Sequence, residues 1–164
     1  MNAGAAACAG ELLLFLHADT RLPPDADALV RCATLGQRRW GRFDVTIDSP
    51  RPVMRVVEAL MNLRSRCTGI ATGDQAIFVR KDLFEQVGGF PDQPLMEDVA
   101  LSTRLKRHGP PACLRERVTT SARRWERNGP WRTILLMWRL RAAYFFGADP
   151  AKLAWRYGYR APPP

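Results

Sequence analysis

Three places along this 164-residue chain carry side chains suited to acid–base or anion chemistry. The first lies in ELLLFLHADTRLPPD, Glu11–Asp25, where an apolar run, Leu12–Leu16, leads directly into His17 and Asp19. A carboxylate on a loop after a strand can bind a hard cation through oxygen, and that cation can hold a diphosphate. The plainer role for Asp19 is to cap the turn before Pro23 by local hydrogen bonding. The second place is PLMEDVALSTRLKRHG, where Glu97 and Asp98 open a helical pattern. Acids at a helix start are stabilised by the backbone dipole by roughly 0.3–1 kcal/mol, which is reason enough locally. A carboxylate so placed can also take a proton from a hydroxyl within hydrogen-bond reach. The third is SARRWERNG, where Arg123 and Arg124 could grip phosphate oxygens in bidentate fashion and Trp125 could stack on a sugar or base. The same residues would equally make a surface arginine pair beside a packing tryptophan.

These groups need elements to place them. Leu12–Leu16 reads as a strand buried on both faces, which favours a parallel sheet covered by helices. Pro23-Pro24 opens a helix over residues 25–35. Trp40–Ile47 alternates as a strand does, and Val53, Val56, Val57, Leu60 and Leu63 carry helical spacing. Residues 75–79 form another apolar strand, residues 82–87 a short helix closed by Gly88-Gly89, residues 97–107 a further helix, and residues 111–120 a short strand. Residues 2–9 look like a helix end stopped by Gly10. Strands alternating with helices indicate an α/β fold, in which ligands sit beyond the carboxyl ends of the strands. Near the end, Trp131, Leu135, Trp138, Ala142 and Phe145 repeat at spacings of 4, 3, 4 and 3, a helical stripe. It is too short and too interrupted by arginine to span a bilayer. Such a stripe more often packs on its own domain; with basic neighbours it can also lie on an anionic membrane surface.

Composition sets the outer bounds. Hydrophobic residues make up 46%, enough for a packed core. The four cysteines are scattered, none in a C-x-x-C pair, which points to a reducing compartment and no disulfide framework. His17 and His108 stand far apart, and the sequence has no zinc-ligand cluster. The net charge of +9 is uneven: residues 1–103 sum to −2 and residues 104–164 to +11. The basic half suits an anionic partner, or is simply a solvated basic surface.

The segments LLFLHADTRLP, GDQAIFVRKDLFEQVGGF, MEDVALSTRLKRHG and SARRW stand in that order. The series resembles the family-2 glycosyltransferases of GT-A fold, in particular small bacterial family-2-like transferases, from Met1 to about Trp125. The resemblance implies an α/β, GT-A (nucleotide-diphospho-sugar transferase) fold, N-terminally truncated, with a mixed, mostly parallel sheet flanked by helices. It divides the chain into a partial catalytic domain, 1–127, an amphipathic helical segment, 128–160, packed on the domain or on a membrane surface, and a disordered tail, 161–164. Asp19 matches the second Asp of the family's D-x-D metal motif, and His17 stands where the first would be. Asp98 matches the general base, with Glu97 orienting it or the acceptor. Arg124 and Trp125 match the R-W of the last motif, whose Gln is replaced here by Ser121, which speaks against a processive polymerase. Gly73, Asp74 and Gln75, with Trp125, fall on the acceptor side.

The implied reaction is metal-assisted sugar transfer with inversion, from a nucleotide-diphosphate donor to a hydroxyl acceptor, a lipid-linked one included. Asp98 would deprotonate the acceptor; Mg²⁺ or Mn²⁺ on Asp19 and His17, with Arg124, would neutralise the diphosphate. The resemblance further implies a cytoplasmic enzyme with peripheral contact to the inner face of the plasma membrane, self-association, and no nucleic-acid partner. It also implies that a strand, a helix and a second strand gripping the base and ribose belong before Met1, which would leave Leu12–Leu16 with an open edge. Against the enzyme stands a non-catalytic fragment or binding module using the basic half on polyanions or a membrane surface; a nucleotidyltransferase is the third reading.

Overall fold

In the computed structural model, which describes residues 1–159, the chain divides into two units: Met1–Phe90 with Asp98–Ala122, and Pro91–Glu97 with the segment from Arg123. The expectation for residues 161–164 lies outside the described residues.

The first unit begins with α1 (Asn2–Ala7), followed by β1 (Leu12–Phe15), β2 (Thr20–Arg21), α2 (Ala26–Thr34) and β3 (Trp40–Asp48). Then come α3 (Pro52–Thr68), a 3₁₀ turn at Gly73–Gln75, β4 (Ile77–Arg80) and α4 (Lys81–Gln86). It closes with α5 (Glu97–Leu105), which opens at the junction of the two units, and β5 (Ala112–Ser121). The strands form one sheet in the order β1-β4-β3-β5-β2. The α/β class is as expected, but a mostly parallel sheet is not what forms. Only β3–β5 is parallel; β1–β4, β3–β4 and β2–β5 are antiparallel. The reason lies in β1. It is an edge strand with only Leu13 fully buried, and Leu16 just beyond it is exposed. An apolar run does not by itself distinguish a central parallel strand from an edge strand whose side chains alternate between two covered faces.

That alternation is visible in the core. Leu13 and Phe15 of β1 join Ile77 and Val79 of β4, Trp40, and Leu83, Phe84, Leu101 and Leu105 of the covering helices. Leu12 and Leu14 turn the other way, toward Phe43, Val45, Phe78, Val118 and the α2 residues Ala26 and Val30. Gly41 marks the closest approach within the sheet: a side chain there would overlap the Ala112 carbonyl and the Phe78 ring.

The chain passes from one edge strand, β1, to the other, β2, through residues 16–19 alone. Five residue steps reach at most about 18 Å. The outer strands of a flat five-stranded sheet lie about 19 Å apart. The sheet must therefore curl at this end. It is the end where β1, β3 and β5 finish and where β4 begins, so residues 17–19, 73–75 and Ser121 all collect there.

α3 departs from its predicted face. Its buried residues are Met54, Val57, Glu58, Asn62 and Ser65, whereas Val56, Leu60 and Leu63 are exposed. The inward face is polar because it does hydrogen-bonding work. Beyond Gly41, β3 has no β4 partner on that side. Asn62 there accepts from the Val45 N–H (2.9 Å) and donates to the Val45 carbonyl (3.1 Å), and Glu58 accepts from the Ile47 N–H (2.6 Å).

The second unit holds α6 (Arg123–Asn128), α7 (Pro130–Phe145) and α8 (Pro150–Tyr157). Asp149 caps α8 by accepting from Ala151 N–H at 2.9 Å. Thr133 and Leu140 on α7 and Leu153 and Ala154 on α8 are its buried helical positions. α8 falls within the helical segment expected over residues 128–160, whereas α6 was not predicted: it is shorter than two turns and carries no repeated apolar stripe.

Candidate functional site

The curled end of the sheet gathers an imidazole and three carboxylates. His17 follows β1 in a tight turn closed by the Thr20 N–H donating to the His17 carbonyl at 3.1 Å. Asp19 is exposed at the tip of that turn, and its carbonyl accepts from Ser121 N–H at 3.2 Å. The His17 Nδ1 faces Asp74 Oδ1 at 3.4 Å. Its other ring nitrogen lies over Gly73, in the space a side chain at position 73 would fill. Asp98 reaches the same turn: its Oδ2 accepts from Gly73 N–H at 2.9 Å and its Oδ1 from Val99 N–H at 2.7 Å. His17, Gly73, Asp74 and Asp98, distant in sequence, thus share one cluster.

The electrostatics agree with the geometry. The hydrogen bond to Asp74 raises the His17 imidazole above its ordinary value of 6.5. Burial opposes the rise, and the charges of Asp74, Asp98 and Asp19 reinforce it.

The supports are built into the backbone. Residues 72–75 form a capping box in which Thr72 and Gln75 satisfy one another. Gln75, fully buried, also donates to Asn62 Oδ1 at 3.4 Å, so it braces the turn from within. Ser102, one turn along α5 from Asp98, exchanges hydrogen bonds with the Ala71 backbone at 3.1 and 3.2 Å. Ala76 and Met96 hold positive φ values of 47° and 64°, one just after the turn and the other just before α5. Backbone strain of this kind persists where surrounding structure over-determines it, and it concentrates at functional sites.

Among the described residues, no group of three or more His, Cys, Asp or Glu side chains is placed to hold a metal ion. His17 does not fit the ligand role: one ring nitrogen faces Asp74 and the other is covered by Gly73. Asp19 does fit, as one exposed carboxylate for a hard cation that takes its remaining oxygens from phosphate and water.

Glu97, Arg124 and Trp125 lie in the second unit. There the Arg124 guanidinium stacks over the Tyr157 ring, 4.0 Å from its centroid. Trp125 is half-buried. Sequence reasoning missed Ser102 and Thr72 as supports, and Asn2, whose side-chain amide exchanges hydrogen bonds with the Phe90 backbone at 2.8 and 3.0 Å, holding the Gly88-Gly89-Phe90 turn. A polar residue four positions from a candidate carboxylate on the same helix was the one available signal for Ser102.

Set beside known proteins, the chain matches no protein-family model, no curated protein and no solved structure. The fold and site define an α/β protein with a carboxylate-rich cluster at one end of a mixed sheet. No helix of the described residues is long and apolar enough to cross a membrane.

Proposed function

We propose that the first unit is the catalytic part of an inverting nucleotide-sugar glycosyltransferase of GT-A type. The observation that carries this reading is the gathering of His17, Asp74 and Asp98 around Gly73, with Asp19 two residues on in the turn that His17 opens, at the sheet end where β1, β3 and β5 finish. In this reading Asp98 is the general base. Backbone N–H groups of Gly73 and Val99 fix its orientation, and a carboxylate so held can take the proton of an acceptor hydroxyl within hydrogen-bond reach. The hydroxyl proton passes to Asp98, and the freed oxygen attacks the anomeric carbon from the face opposite the leaving group. The bond to the nucleoside diphosphate breaks as the new glycosidic bond forms. His17, held toward its protonated form, offers positive charge to the departing diphosphate. Three carboxylates around it would still repel that anion, and Asp19 is the residue that would hold Mg²⁺ or Mn²⁺, whose chemistry is to neutralise it. Asp74 sets the His17 ring, and Gly73 keeps the turn close enough for both partners. The reading rests on residues of the first unit alone.

Calorimetry with inorganic pyrophosphate and with nucleoside diphosphates, with and without Mn²⁺, tests it. Mn²⁺-dependent binding of pyrophosphate that weakens about tenfold in Asp19→Asn is expected, a typical effect for loss of one charged ligand. Asp98→Asn should leave that binding intact and lower sugar transfer by about 10²–10⁴-fold. Absence of pyrophosphate binding under every condition would remove the proposal.

A further inference from the structure

The stripe on α7 is open. Trp131, Trp138 and Phe145 are 73%, 63% and 83% exposed, and Leu135 is half-exposed, while Thr133 and Leu140 on the opposite side are buried. At about 100° per residue, Trp131, Leu135, Trp138, Ala142 and Phe145 fall within an arc of about 80°. Arg132 and Arg139, both exposed, project at its flank, about 80–100° from Trp131. α7 carries no acidic residue, and residues 123–159 hold eight Lys/Arg against Glu126 and Asp149. Trp155 on α8 adds another exposed indole.

We infer that α7 lies on an anionic lipid surface, its indole and phenyl rings entering the headgroup boundary and its arginines meeting lipid phosphates. Tryptophan favours that boundary because its ring is apolar and its N–H polar. Arginine on the flank of an apolar stripe can reach upward to phosphate while its methylenes stay with the rings. A second copy of the chain fits less well. Pairing two α7 stripes would bring Arg132 and Arg139 of both copies together, with no acid on either helix to meet them. The shortage of length and hydropathy for a span is consistent with a helix lying in the plane of the surface. The inference is independent of sugar transfer.

Flotation of the full chain with phosphatidylcholine vesicles, with and without phosphatidylglycerol, tests it. The wild type should float with the anionic vesicles, shift its tryptophan emission to the blue, and come off as salt rises. Trp131→Ser/Trp138→Ser, checked for an unchanged melting temperature, should reduce partitioning about tenfold or more. Arg132→Glu/Arg139→Glu should do the same on anionic vesicles and change little on neutral ones. Partitioning unchanged in both double variants, or no flotation together with a dimer that Trp131→Ser/Trp138→Ser dissolves, overturns it.

Discussion

His17 is held by two neighbours that act differently: Asp74 through a hydrogen bond reinforced by its charge, and Gly73 by leaving room for the ring. Asp74→Asn should therefore return the imidazole toward 6.5, read by NMR titration. The sign of the stability effect follows. A histidine whose folded value is raised lends stability that is complete below about 6.5, its value in the unfolded chain. That contribution fades as pH rises through the folded value. The melting-temperature gap between wild type and Asp74→Asn should thus be widest in mild acid and close at alkaline pH; a gap independent of pH would mean that the pair is not an ionic one. Both side chains are more than a third exposed, so the gap is small. Gly73→Ala should lower the His17 value in the same way by evicting the ring, which can swing into water, at a cost within about 1 kcal/mol. His17, Asp19 and Asp98 could be singled out from residue type and their places after a strand or at a helix start, whereas Asp74 was marked only by the family resemblance. That His17 pairs with Asp74 could not be read, because nothing local to either residue encodes a contact across so much chain.

Two helices in the first unit use the same device. α3 offers Glu58 and Asn62 to Ile47 and Val45, and α5 offers Asp98 and Ser102 to Gly73 and Ala71. Four helical residues advance about 6 Å. Two extended residues advance about 6.6 Å. Polar side chains at i and i+4 on a helix therefore match backbone groups at j and j+2 on a strand or extended segment. Asn62→Ala would leave the Val45 N–H and carbonyl without partners in a buried setting, at a cost of roughly 2–5 kcal/mol. A urea titration showing a change under about 0.5 kcal/mol would mean that water or a shifted strand replaces the amide. Most elements were legible, because apolar runs and helix signals mark them well. The α3 face was not: counting only apolar residues selected Val56, Leu60 and Leu63, the exposed side, since the packed side is spent on hydrogen bonds. Ser121 ends a ten-residue strand where only a short one was expected, because exposed Arg115, Glu116 and Arg117 interrupt its apolar pattern.

On the scale of the whole molecule, the composition promised more burial than the described residues deliver. The α7 stripe, the Val56–Leu60–Leu63 face and the outer edge of β1 all remain open. The pairing register of β1 says how that edge can be tested. Lys81 N–H donates to the Glu11 carbonyl, and the register places Leu13 opposite Val79 and Phe15 opposite Ile77. In an antiparallel pair, hydrogen-bonded and non-hydrogen-bonded positions alternate. Residues 11, 13 and 15 thus bond inward to β4, and the N–H groups of Leu12 and Leu14 point to the open edge. An open apolar edge recruits strands from other chains. Proline removes a backbone donor, and it is tolerated where that donor faces outward. Leu14→Pro should keep the β1–β4 ladder and suppress concentration-dependent light scattering. Leu13→Pro breaks the ladder and should lower the melting temperature without the same protection. If both variants scatter as the wild type does, association runs through one of the open helix faces, and the double serine variant on α7 separates that stripe from α3.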